Sequence, residues 1–158
     1  DAFAVASVHV RSWQVAYRNL LPDAYLDSLR PEDRAVKYDF GSTTEGKPHT
    51  LVAIKKDLIV GFVTTTASRD PELQEWGELA ALYVDPDLWG LGIGTALIAS
   101  ARSRLLHSGF KDVYLWVLQG NARAEQFYRA DGWIRDGNKR TEIVWGITVD
   151  EVRYLRHL

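Results

Sequence analysis

Apolar residues recur at three- and four-residue spacing at the start of the chain. Phe3, Ala6, Val10, Trp13 and Tyr17 share one face while Arg11, Ser12 and Arg18 lie off it, which predicts an amphipathic helix over 2–18. Leu20-Leu21-Pro22-Asp23 interrupts it, because a proline drives the preceding residue out of the helical region. Short helices are expected over 24–29 and 32–38, the second opened by Pro31, and 41–48 reads as a polar, glycine-containing loop. The period then changes from helical to extended. Strands are predicted over 50–55 and 58–67, joined by Lys56-Asp57, and over 76–84, closed by Asp85-Pro86. A glycine turn at 90–94 leads into a helix from Thr95 to about His107, with Leu97, Ile98, Ala101 and Leu105 as its apolar stripe and Gly109 as its stop. A strongly apolar strand over 113–118, a helix over 121–130 capped by Asn121, and strands near 133–135 and 148–156 complete the pattern. One α+β domain spanning 1–158, of three-layer α/β character, accounts for all of it.

Composition narrows the partners. The chain has 158 residues, 46% of them hydrophobic and 25% charged, as expected of a globular domain. A formal charge of −2 provides no basic field for nucleic acid or an anionic membrane. No apolar run reaches the roughly 18 residues of a membrane span, and the first residues show no secretory leader, so a cytoplasmic location is the expectation. The absence of cysteine removes disulfides, a thiol nucleophile and thiolate metal sites. His9, His49, His107 and His157 are scattered, and neither an H-x-x-x-H pair nor a carboxylate-rich loop appears, so no metal is expected.

The strongest local feature is Trp89-Gly90-Leu91-Gly92-Ile93-Gly94-Thr95, where a strand ends and a helix begins. Alternate glycines let the backbone approach a ligand and adopt positive φ. The first turn of the following helix presents unpaired N–H groups and the positive end of a dipole, which suits a pyrophosphate. Glycine turns also serve plain chain reversal. No glycine-lysine-serine/threonine ends the loop, which excludes a nucleotidase P-loop, and the glycine spacing does not fit the dinucleotide fingerprint. A second segment follows the apolar strand: Asn121-Ala122-Arg123-Ala124-Glu125-Gln126-Phe127-Tyr128, then Asp131-Gly132-Trp133.

Together these resemble the GNAT superfamily of N-acetyltransferases. The glycine turn is similar to its Q/R-x-x-G-x-G/A acetyl-CoA motif, with Trp89 in place of the usual Gln or Arg, and the second segment to its N-x-x-A-x-x-F-Y segment. The resemblance covers essentially the whole chain, and residues 9–30 resemble a bacterial small-molecule-type subset whose acceptors are poorly defined. It implies the acyl-CoA N-acyltransferase fold, a mixed and mostly antiparallel sheet flanked by helices, although this sequence opens at the first helix, so the strand that usually precedes it either lies outside these residues or leaves the sheet one strand short. It implies acetyl-CoA as co-substrate, no metal, an amine acceptor on a small molecule or peptide, and room for a homodimer. Cofactor contacts would come from backbone groups of Leu82, Tyr83 and Val84, from the turn at Trp89, Gly90, Leu91, Gly92, Ile93, Gly94 and Thr95, and from Asn121 and Tyr128.

Acetyl transfer to an amine needs a base for the ammonium, a donor for the carbonyl oxygen and a proton for the departing thiolate. By the resemblance, an N–H near Leu82 or Tyr83 polarises the carbonyl and Tyr128 donates the proton. Glu78 is the expected base, since strand alternation would put it on one face with Ala80, Leu82 and Val84, with Glu75 and Glu142 in reserve. Trp13, Tyr17, Tyr25 and Trp145 are expected to form an aromatic acceptor wall, and Arg102, Arg104, Arg123 and Arg129 are candidates for the adenosine phosphate. A non-catalytic acyl-CoA sensor of the same fold would need neither Tyr128 nor Glu78.

Overall fold

A computed structural model describes residues 1–158 apart from Thr43 and Glu45, so the expected loop over 41–48 lies partly outside the described residues. Three helices lead the chain: α1 (Ala2–Ala16), α2 (Asp23–Ser28) and α3 (Pro31–Ala35). The Asp1 carboxylate caps α1 by accepting from the Ala4 N–H at 3.1 Å. The buried arc of α1 is Val5, Ala6, Val8, His9, Val10, Ser12 and Trp13. Phe3, expected on that stripe, is half exposed.

Among the described residues, six strands form one sheet in the order β1-β2-β3-β4-β6-β5. They are β1 (His49–Lys55), β2 (Leu58–Ala67), β3 (Gly77–Val84), β4 (Asp112–Leu118), β5 (Ile134–Val144) and β6 (Ile147–His157). Lys56 and Asp57, both at positive φ, make the tight β1–β2 turn that their sequence suggests. The helix α4 (Ile93–His107) connects β3 to β4, and α5 (Ala122–Ala130) connects β4 to β5. Neighbouring strands are antiparallel except β3 and β4, whose parallel pairing needs a crossover such as α4.

The last two strands differ from expectation. In place of a stub near 133–135, β5 runs for eleven residues and forms a hairpin with β6. Its run Arg135-Asp136-Gly137-Asn138-Lys139-Arg140 reads as loop because much of it is exposed and a bulge interrupts its register. Trp145 and Gly146, at φ 54° and 78°, turn the hairpin.

Two features of β3 create the site. Its pairing with β4 joins Gly77 to Val113 and Glu78 to Tyr114, and beyond those residues the strands part. Next to this, the β2–β3 register shifts so that Thr65 faces Leu79 and Thr64 faces Ala81, leaving Ala80 as a bulge. A bulge bends and twists its strand. It also resets alternation: Leu79, Leu82 and Val84 pack in the core beneath α4, while Ala81 and Tyr83 face α1. Glu78 therefore lies on the α1 face, away from Leu82 and Val84, contrary to the simple alternation expected along 78–84.

The α4 side holds the larger core, with Ile98, Ala101, Val113, Leu115, Trp133, Val152 and Tyr154 at most about 1% exposed. Fully burying a side chain of this size contributes roughly 1.5–3 kcal/mol. Trp133 is further held by its indole N–H donating to Asp131, whose carboxylate also takes both ends of a fork from Arg102.

Candidate active site

A continuous cavity of about 790 Å³ passes through the gap between β3 and β4 and is lined from both faces of the sheet. On the α4 face its wall includes Gly90, Gly92, Ile93, Gly94, Thr95, Asn121 and Arg123, on the α1 face Trp13, Tyr17, Glu78, Trp116 and Glu151, and the gap itself is edged by Leu82, Tyr83, Val84, Leu118 and Tyr128.

At the first mouth, Gly90 and Gly92 have φ of 79° and 84°, a region that L side chains occupy at a cost. Gly92 is the N-cap of α4 and its carbonyl accepts the first helical bond, from Ala96. Among the described residues no side chain caps this end, so the N–H groups of Ile93, Gly94 and Thr95 stand at the cavity mouth at the positive end of a fifteen-residue helix. Gly94 serves packing: a Cβ there would touch the Phe127 ring at 3.5 Å. The Leu91 side chain is exposed and off the wall.

Trp89, the departure from the family motif, turns its indole N–H to the Val84 carbonyl at 2.9 Å. The same carbonyl accepts from Ser12 Oγ at 3.0 Å, so this one of the backbone groups expected near the cofactor is already engaged. The guanidinium of Arg123 lies 3.8 Å from the centre of the Trp89 ring. Of the other arginine candidates, Arg102 is tied to Asp131 and Arg129 to the Tyr154 hydroxyl. The Asn121 side-chain oxygen caps α5 by accepting from the Ala124 N–H at 3.3 Å while the residue stands on the cavity wall.

In the gap, three tyrosines from three elements converge: Tyr17 after α1 and Tyr128 on α5, both buried, and Tyr83 on β3, half-buried. Burial pushes each phenol above its ordinary value, and Tyr83 pushes Tyr17 and Tyr128 further in the same direction. Tyr128 therefore keeps its proton across the working range of pH.

Glu78 is 3% exposed and fully engaged. Arg69 donates to both its oxygens, at 3.0 and 2.7 Å, and the Tyr114 hydroxyl donates to Oε2 at 2.9 Å. Tyr114 Oη in turn accepts from the N–H groups of Arg69 and Asp70, so Glu78 anchors the turn after β2. Of the reserve carboxylates, Glu75 is exposed and off the wall, while Glu142 lines the cavity.

The expected aromatic wall is half present. Trp13 and Tyr17 line the cavity, but Tyr25 and Trp145 do not. The Tyr25 hydroxyl donates to the Trp145 carbonyl at 2.7 Å, and the Trp145 ring packs behind Trp13 at 4.9 Å and against His9 at 5.0 Å. Sequence reasoning missed Arg69, Tyr114, Trp116, Arg140 and Glu151, all on the α1-side wall. The available signal was alternation: Val149, Glu151 and Arg153 fall on one face of β6 while Val152 and Tyr154 enter the α5-side core.

Comparison with known proteins agrees with this architecture. A family model described as the acetyltransferase (GNAT) family matches residues 13–133. The N-acetyltransferase YuaI of Bacillus subtilis is 30% identical over 96% of this chain and 85% of its own length. A mycothiol acetyltransferase of Sanguibacter keddieii is 36% identical, over 54% of this chain and 28% of its own length. In fold, the chain is similar to the PaiA N-acetyltransferase of Thermoplasma acidophilum, solved with coenzyme A, with a TM-score of 0.71 at 19% identity over 100% of this chain and 93% of that one.

Proposed function

The chain belongs to the GNAT family of acetyltransferases and is an acetyl-CoA-dependent N-acetyltransferase, and on that premise we propose that it passes the acetyl group directly to a primary amine of a small molecule or peptide. The observation that carries this reading is the cavity that crosses the sheet, with free helix N–H groups at one mouth and carboxylates with aromatic rings at the other. The residues fit acetyl-CoA: its pyrophosphate meets the N–H groups of Ile93, Gly94 and Thr95, and its pantetheine arm runs past Asn121 into the gap. There, among the described residues, the backbone groups of Leu82 and Tyr83 that point toward β4 have no strand partner, so an N–H at this level can polarise the thioester carbonyl.

The amine arrives from the α1 face. Its nitrogen attacks the thioester carbon, the C–N bond forms and the C–S bond breaks. An ammonium must lose two protons in becoming an amide. One leaves before attack, and the other balances the proton that the departing thiolate takes from Tyr128. Burial keeps the Tyr128 phenol protonated, so it is a standing donor.

Thermal shift with acetyl-CoA, ATP and NAD tests the co-substrate, since a ligand at 100 times its Kd adds about 2.7 kcal/mol. A screen of primary amines followed by thiol release tests the transfer. Stabilisation by ATP or NAD but not acetyl-CoA would overturn the reading.

A further inference from the structure

We propose that Glu151, on β6, is the catalytic base of the transfer, taking the proton from the incoming ammonium on the α1 side of the gap. The inference rests on the acetyltransfer reading of the cavity and assigns a step that reading leaves without a residue.

Position comes first. In the β4–β6 ladder Glu151 lies opposite Leu118, the last residue of β4, where the strand edges the open end of the gap. Across β6 it lies opposite Arg140 of β5. It lines the same cavity as Arg69 and as Tyr17 and Tyr83, two of the three tyrosines that meet in the gap. It therefore stands beside the place where thioester and amine would meet.

Availability comes second. Glu78 spends both oxygens on Arg69 and Tyr114, and protonating it would loosen the turn after β2. Glu151 differs: Oε1 accepts from Arg140 Nε at 2.9 Å, and among the described residues no side chain donates to Oε2. One oxygen is thus fixed, and the other takes no side-chain donor on a residue that lines the cavity. Arg140 is itself braced, its guanidinium lying 4.4 Å from the centre of the Trp116 ring.

Basicity is consistent with the role. The groups acting on the carboxylate are Arg140 and Glu142 from β5 and Glu78 from β3. Arg34 from α3 also lines the cavity, while Arg153, the next residue along the same face of β6, is occupied by Asp136 and Asp70. Burial pushes the Glu151 carboxyl above its ordinary value; Arg140 opposes this, and Glu142 and Glu78 add to the rise. A carboxylate near the usual pKa of ~4.3 is a poor base for an ammonium, and raising it improves the match.

The proton balance closes. Glu151 carboxylate and R-NH3+ give the carboxylic acid and R-NH2, whose lone pair forms the C–N bond. The second amine proton replaces the one Tyr128 gives to the thiolate, and Glu151 returns its proton to solvent.

The test compares the wild type with E151Q and E78Q, reading acetyl-CoA affinity by calorimetry and kcat/KM against pH with a panel of primary amines. The slow hydrolysis of bound acetyl-CoA is read as well, because the same base activates water when no amine is present. E151Q should bind acetyl-CoA as the wild type does and lose at least about tenfold in hydrolysis and in kcat/KM at neutral pH, within the ~10²–10⁴-fold usual for a positioned base. Its aminolysis profile should lose the acidic limb and rise steadily toward the amine's own pKa, while E78Q keeps that limb. If the amide variant does not fold, E151D replaces it and should retain the limb at a reduced rate. The proposal is overturned if E151Q hydrolyses acetyl-CoA at the wild-type rate, or if the acidic limb survives in E151Q and disappears in E78Q. Failure of the wild type to bind acetyl-CoA would instead remove the acetyltransfer reading beneath it.

Discussion

Replacing Gly92 by alanine separates binding from folding when it is paired with the same change at Gly109. Both glycines have left-handed φ, 84° and 93°, and a Cβ at either meets nothing within 4 Å. Both substitutions therefore carry the same penalty, the ~1–2 kcal/mol of an L residue in that region, with no steric addition. For a domain of this size each kcal/mol lowers Tm by about 2–4 °C, so both variants should melt roughly 2–8 °C below wild type. They differ in what the methyl faces. Gly109 lies beyond the C-terminal end of α4, whereas Gly92 lines the cavity mouth and immediately precedes the N–H groups of Ile93 and Gly94. Hydrogen bonds to a charged group contribute about 1.5–3 kcal/mol each. Displacing one of them should weaken acetyl-CoA by roughly 10- to 100-fold in G92A and leave G109A at the wild-type Kd. Scanning calorimetry gives the first quantity and titration calorimetry the second. Equal acetyl-CoA affinities in the two variants at equal Tm would refute the placement of the pyrophosphate on this turn.

Other consequences can be checked alongside. Tyr128→Phe should reduce kcat at least about tenfold with little change in acetyl-CoA affinity, because the hydroxyl acts as sulfur leaves; stopped-flow thiol release reads both. Trp89→Ala removes the ring beneath Arg123, an interaction of about 0.5–2 kcal/mol, and should weaken acetyl-CoA several-fold, whereas an unchanged Kd would separate Arg123 from the cofactor. His9 is buried, accepts or donates at 2.7 Å to the Tyr38 hydroxyl, and has its pKa held well below 6.5 by burial and by Arg34. The unfolded chain thus takes up this proton first, so the His9 contribution to stability is complete above about pH 6.5 and is lost as pH falls below it, by at most ~1.4 kcal/mol per unit. Denaturant titrations of wild type and His9→Phe from pH 8 to 5 should converge as pH falls.

What the sequence made legible is what local backbone geometry demands. Gly90 and Gly92 need positive φ wherever the chain folds, and Asn121 caps a helix through a contact three residues away. What it concealed depends on register between distant segments. The pairing of Arg69 with Glu78 follows from how the turn after β2 folds over β3, and the side that Glu78 faces follows from a one-residue bulge at Ala80. Glu151 and Arg140 sit on strands whose mutual alignment is set by the bulge between Arg135 and Lys139. Trp145 is bulky and aromatic, yet its position in a tight turn carries it behind the wall it was expected to form.

A passage that runs through a sheet gives each reactant its own door. Under the proposed direct transfer, acetyl-CoA and the amine need not exclude one another, so double-reciprocal plots at several fixed amine concentrations should intersect rather than run parallel. Free coenzyme A should then compete with acetyl-CoA and not with the amine. The acceptor side can then change its wall over evolution without disturbing the turn that holds the donor, since the two sets of residues meet only in the gap between β3 and β4.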